Sequence, residues 1–219
     1  MMKKSLAALV LMLGVSSLAH AAVVMPKGDA MAGQGTAAIC AGCHGMDGNS
    51  ATGQFPKIAG QNAKYIYKQL QDFKAGRRVN PLMLGVATGL SDQDMANVAT
   101  YMSEQKIAGG AAKPELAAAG ERLFRGGNKN TGLAPCAGCH GPAGRGNTYA
   151  AFPRIGGQHA DYIKAQLIAF RAAGRDDITD VKRTNDASKP GEQGPMQMIA
   201  AKLSDHDIEA LASYIQGLR

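Results

Sequence analysis

The six residues CAGCHG stand at Cys40–Gly45 and again at Cys136–Gly141. Each copy contains C-x-x-C-H: Cys40, Cys43 and His44 in the first, Cys136, Cys139 and His140 in the second. The likeness spreads outward from there. FPKIAGQNAKYI (Phe55–Ile66) parallels FPRIGGQHADYI (Phe152–Ile163), and KQLQDFKAGR parallels AQLIAFRAAGR. LSDQDMANVATYM (Leu90–Met102) parallels LSDHDIEALASYI (Leu203–Ile215). Order is kept throughout, so the 219 residues hold two copies of one module, too few for a solenoid. The second copy carries about sixteen extra residues within Gly174–Pro195, a polar stretch that reads as a surface loop.

Both modules read as helical. Tyr65, Ile66, Leu70 and Phe73 recur as Tyr162, Ile163, Leu167 and Phe170, at helical spacing, over Gln61–Gly76 and Gln158–Gly174. Ser91 and Ser204 are N-cap residues with an Asp three positions on. Met95, Val98, Ala99 and Met102 follow the first, and Ile208, Leu211, Ala212 and Ile215 the second, each an i, i+3, i+4, i+7 stripe that predicts one buried face. A further helix opens the second module over Pro114–Gly126, and no run alternates as a strand does. The predicted organisation is residues 1–21 as a signal peptide, 22–105 as the first domain, 106–114 (KIAGGAAKP) as linker and 115–219 as the second domain.

The signal peptide is read from Lys3 and Lys4, the apolar run Leu6–Val15 and the small-x-small site Ala19-His20-Ala21. The run is too short to span a bilayer, so the expectation is export to the periplasm with cleavage before Ala22. A formal charge of +7 without a basic stripe or interleaved aromatics argues against nucleic-acid binding. Six Tyr, five Phe and no Trp give two small domains thin cores, and domains that small lean on a staple.

Three chemistries compete for the cysteines. A disulfide inside C-x-x-C closes a tiny loop and stabilises little, and pairing between modules leaves the adjoining His unexplained. Zinc needs a fourth ligand that the repeat does not supply. His159 and His206 stand where the first copy has Asn62 and Gln93, and both are expected to be exposed polar residues. Covalent haem c explains the whole motif: thiols at i and i+3 share a helix face and can add to two vinyl groups, and the next residue, His, can reach the iron. The chain is therefore expected to carry two haems c, with Cys40, Cys43, Cys136 and Cys139 as attachment points. Buried porphyrins also account for the thin cores.

A sixth ligand is sought in the repeat. Met83 and Met196 both lie seven residues before the Leu of LSD, in the shared pattern M-x-x-x-A-x-x-L-S. Met198 breaks that register. A Met opposite His fills the iron's coordination and raises its potential. Met95 and Met102 fall on the buried helix face and read as core. A backbone carbonyl in FPKIAG or FPRIGG can take the ring N–H of each ligating His. Asn80 and Asn185, in Arg-x-Asn ahead of each Met, fit either donation to the Met sulfur or ordinary turn chemistry.

With these motifs in view, the chain resembles the cytochrome c4 family of dihaem periplasmic cytochromes over nearly all of residues 22–219. The resemblance rests on paired CAGCHG, F-P-x-I-x-G-Q, M-x-x-x-A-x-x-L-S-D and the closing ATYM and ASYI. It implies an all-α fold of two tandem cytochrome-c-like domains, each wrapped around one covalent haem. It also implies His44 with Met83 and His140 with Met196 as iron ligands, and the Pro56 and Pro153 carbonyls as orienters of the histidines. The implied role is that of a monomeric electron carrier, not an enzyme, running from a quinol-oxidising complex to a terminal cytochrome oxidase, with peripheral association at the membrane. The alternative is the cytochrome subunit of a dehydrogenase of flavocytochrome c type, or a dihaem oxidoreductase with a labile ligand.

Overall fold

The structure, a computed structural model, describes residues 24–187 and 191–219; the expected signal peptide lies outside the described residues. Those residues form ten helices and no strand, with two isolated antiparallel bridges, Asn128 with Leu133 and Asn147 with Phe152. In the first half α1 (Ala30–Thr36) and α2 (Ala38–His44) lead to α3 (Ala63–Lys74), α4 (Pro81–Thr88) and α5 (Asp92–Glu104). In the second half α6 (Pro114–Gly126) and α7 (Ala137–His140) lead to α8 (Ala160–Arg175), α9 (Pro195–Ala200) and α10 (Asp205–Gly217).

The caps read from sequence are made. Ser91 and Ser204 each accept from the backbone N–H three residues on, and Asp94 and Asp207 return the bond as complete capping boxes. The predicted stripes are buried: Met95, Ala99 and Met102 are 0 % exposed, and Ile208 and Leu211 1 %. Burying each of the Met, Ile and Leu side chains stabilises the fold by about 1.5–3 kcal/mol. Each half has its own apolar cluster, one around Ile66, Phe73, Met95 and Met102, the other around Phe124, Ile163, Phe170 and Leu211.

The opening and closing helices of each half pack closely, α1 on α5 and α6 on α10. Glycine permits this. A Cβ on Gly33 would lie 2.1 Å from the Asn97 carbonyl oxygen, and one on Gly120 would lie 2.3 Å from that of Ala210. Both are distances that only a bare Cα avoids.

The two halves meet through polar groups that the repeat duplicates. Arg78 stacks over Phe73 of its own half at 4.6 Å and donates to Tyr162 (2.8 Å) and Gln166 (3.1 Å) of the other. Arg183 stacks over Phe170 at 4.5 Å and donates to Tyr65 (3.0 Å) and Gln69 (3.1 Å). The pattern is that of an isologous contact in which each half offers the same groups to the other. Burial alone would push the Tyr65 phenol up, but the Arg183 and Arg78 guanidiniums outweigh it and hold its pKa below the usual value.

Three sequence expectations are corrected here. The 174–195 stretch is not simply a surface loop: α8 continues to Arg175, and Arg183 and Asn185 are buried at 8 % exposure. Asn185 donates to Asp72 Oδ2 (2.7 Å) and Gln69 Oε1 (3.1 Å) of the first half, so its amide serves the interface and is not spent on a Met sulfur. His159 is half-buried at that same interface, its Nε2 2.9 Å from the Ser50 carbonyl, whereas His206 is exposed as expected.

Candidate haem sites

Each C-x-x-C-H lies on one helical turn. Cys40, Cys43 and His44 are on α2; Cys136 is the N-cap of α7, and Cys139 and His140 lie within it. The four thiols are unpaired, Cys43 and Cys139 exposed and Cys40 and Cys136 half-buried. Burial raises the Cys40 thiol pKa and pushes that of Cys136 up to about 11. Among the described residues no three His, Cys, Asp or Glu side chains gather in an arrangement suited to a metal ion.

His44 and His140 are both 7 % exposed. The Nδ1 of His44 lies 2.8 Å from the Pro56 carbonyl oxygen, and that of His140 2.9 Å from the Pro153 oxygen. A carbonyl can only accept, so each Nδ1 carries the proton and each Nε2 keeps its lone pair. Burial lowers both imidazole pKa values, more than the carbonyl contact raises them. Each ring is therefore a neutral, oriented imidazole with its far nitrogen available, as a metal-binding His requires. The Phe55 ring meets that of His44 edge-on, at 6.3 Å between centroids.

Met83 is the third residue of α4 and packs, half-buried, against the first apolar cluster, as Cys40 does. Met196 is the second residue of α9 and packs against the second cluster, as Cys136 does. Met198 is 50 % exposed. Asn80 Oδ1 accepts from the Met83 backbone N–H at 3.0 Å, which is capping chemistry. In the second half Asp186 does this in place of Asn185: its Oδ2 accepts from Met196 N at 2.6 Å. Sequence reasoning passed over Asp186 because it falls inside the extra residues, where no repeat partner marks it.

A c-type haem fits these donors. Two thiols on one turn, a neutral imidazole beside them and a thioether on a separate helix make up its covalent and axial set. Its propionates also need cations. Among the described residues, Arg154 Nε is the one buried side-chain nitrogen or oxygen without a hydrogen-bond partner, and it follows directly on Pro153. A carboxylate would satisfy it.

Known proteins point the same way. The family model described as Cytochrome c matches residues 30–106 and again 117–219. Cytochrome c4 of Pseudomonas aeruginosa is 50% identical over 217 residues, covering 99% of this chain and 100% of its own. The crystal structure of reduced recombinant cytochrome c4 from Pseudomonas stutzeri has a TM-score of 0.80 at 50% identity, over 88% of this chain and 100% of that one. A thiosulfate dehydrogenase electron acceptor from Stutzerimonas stutzeri strain A1501 is 40% identical over 183 residues, 81% of this chain and 78% of its own. The expected all-α fold of two cytochrome c domains and the expected pair of covalent haems c are both borne out by these matches.

Proposed function

The chain belongs to the cytochrome c4 family of dihaem electron-transfer cytochromes, and from that premise we propose that it is a periplasmic carrier taking electrons from a membrane quinol-oxidising complex to a terminal cytochrome oxidase. His44 and Met83 hold one iron, His140 and Met196 the other, and the Pro56 and Pro153 carbonyls fix the two imidazoles. The observation that carries the reading is the duplication of the whole donor set, each copy with a buried imidazole already in the tautomer a metal needs. Haem supplies the one-electron couple when bound. The residues supply what surrounds it: a thioether and imidazole that leave no position open to a substrate, apolar cores that exclude water, and a polar interface that holds the two sites in register. Residues 1–21 direct export and are removed, and the two domains are 22–105 and 115–219. No described helix is long and apolar enough to cross a membrane, which suits a carrier that visits its partners from the aqueous side.

The test is rapid mixing of the reduced holoprotein with membranes containing a terminal oxidase. Both haems are expected to empty in a second-order reaction that slows as salt rises, since screening acts over about 10 Å at 0.1 M. Turnover of a small substrate by the chain alone would refute it. A second reading, electron-accepting subunit of a dehydrogenase, is favoured by the relative that carries the name thiosulfate dehydrogenase electron acceptor. Stable co-purification with a dehydrogenase would select it.

A further inference from the structure

The carbonyl that accepts from each His belongs to a peptide group whose other end faces the opposite module. Pro56 C=O and Lys57 N–H are one peptide unit. Its oxygen takes His44 Nδ1–H at 2.8 Å, and its N–H donates to Gln158 Oε1 at 2.9 Å. Pro153 C=O and Arg154 N–H are the counterpart: the oxygen takes His140 Nδ1–H at 2.9 Å, and the N–H donates to Gln61 Oε1 at 2.7 Å.

The amides of these glutamines are fixed. Gln158 Nε2 donates to the Lys57 carbonyl and Gln61 Nε2 to that of Arg154, both at 2.8 Å. Their Oε1 atoms also accept from the backbone N–H of His159 (3.0 Å) and Asn62 (2.9 Å). Turning either amide over would set donor against donor. Gln61 is 8 % exposed and Gln158 5 %, so little water competes.

We propose that Gln61 and Gln158 are positioning residues acting across the interface: Gln158 sets the basicity of His44, and Gln61 that of His140. The proposal rests on the reading of His44 and His140 as iron ligands. An amide whose N–H donates has a more negative carbonyl, and linked bonds strengthen one another by about 10–30%. A stronger acceptor at Nδ1 makes the imidazole a better electron donor through Nε2, which favours the oxidised iron and lowers the potential. Each haem's potential then depends on its module being docked against the other.

The test is Gln158→Leu and Gln61→Leu in the haem-loaded protein, with each haem's potential read by voltammetry and each His ring followed by 15N NMR. Gln158→Leu should raise the potential of the haem on His44 by about twofold in its one-electron equilibrium constant, roughly 18 mV at 59 mV per tenfold, and leave the other unmoved. Gln61→Leu should give the mirror pattern. Gln158→Asn, whose shortened amide falls short of Lys57, gives the same direction should the Leu variant not assemble. Equal shifts at both haems, or no shift at either, overturn the proposal. His44 and His140 resonances lacking the large displacement of an iron-bound ring would instead overturn the ligand assignment beneath it.

Discussion

Arg183→Ala should be among the most damaging single changes outside the haem sites. The guanidinium donates to Asn185 Oδ1 (3.0 Å), Gln166 Oε1 (2.7 Å), Tyr65 OH (3.0 Å) and Gln69 Oε1 (3.1 Å), and lies 4.5 Å over the Phe170 ring. Not all of this is lost on truncation. Gln69 and Gln166 keep Arg78 as a donor, at 2.7 and 3.1 Å. Tyr65 OH and Asn185 Oδ1 lose the bonds Arg183 makes, at about 1–2 kcal/mol each. The stacked cation adds about 1 kcal/mol. The total is about 3–5 kcal/mol, which at about 2–4 °C per kcal/mol for a chain of this size lowers the melting temperature by roughly 10 °C. The assay is thermal unfolding of the haem-loaded protein followed by helical circular dichroism. Lys182→Ala is the control: its Asp176 partner is almost fully exposed, and an ion pair of that kind contributes little. Should Arg183→Ala lower stability by less than about 1 kcal/mol, the buried polar contact would not be what holds the modules together.

Two further outcomes are expected. Met83→Ala and Met196→Ala should each abolish the weak near-infrared band of one oxidised haem, lower its potential and open its iron to small ligands, while Met198→Ala does none of these. A band that disappears with Met198 instead would reverse the assignment. Burial pulls the Lys57 ammonium below the usual lysine pKa. The unfolded chain therefore binds more protons between the lowered value and about 10.4, and this residue makes stability rise with pH across that window. Lys57→Met should remove that contribution, so denaturant titrations between pH 8 and 10.5 should show the variant losing more stability relative to wild type as pH rises.

What the sequence made legible follows from which residues obey a period. α3, α5, α8 and α10 were readable because their apolar stripes and Ser caps are local signals. The cysteine pairs were readable because covalent attachment demands fixed spacing. α1 was missed: AMAGQGT has no stripe, and Gly33 is there to let α5 approach, a demand made by tertiary contact alone. The interface was missed for another reason. Tyr65 and Tyr162 sit on the apolar stripe and read as core, yet their hydroxyls reach across to Arg183 and Arg78. A usable signal was nevertheless present: Gln61 and Gln158, just ahead of α3 and α8, and Gln69 and Gln166, within them, recur as polar residues in stretches whose apolar positions alone were counted. A polar residue kept in both copies of a duplication, where solvent alone would tolerate many substitutes, has partners to find.

Those partners are charged and hydrogen-bonded where two packed domains might have met through apolar surface. Replacing a buried ionic contact by well-packed apolar groups is often neutral or stabilising, so stability by itself does not require this choice. Geometry does. Apolar surfaces tolerate sliding, whereas Arg78 and Arg183, each bound to a Tyr and a Gln across the boundary, fit in one register only. The same holds for the paired amides of Gln61 and Gln158, which bond the N–H of the same peptide groups whose carbonyls hold the His140 and His44 rings. Electron tunnelling falls steeply with separation, so a dihaem carrier works only if its two irons keep a fixed distance while the protein docks and departs. The duplicated polar residues supply that constancy, and they do so at the peptide groups that also hold the His44 and His140 rings.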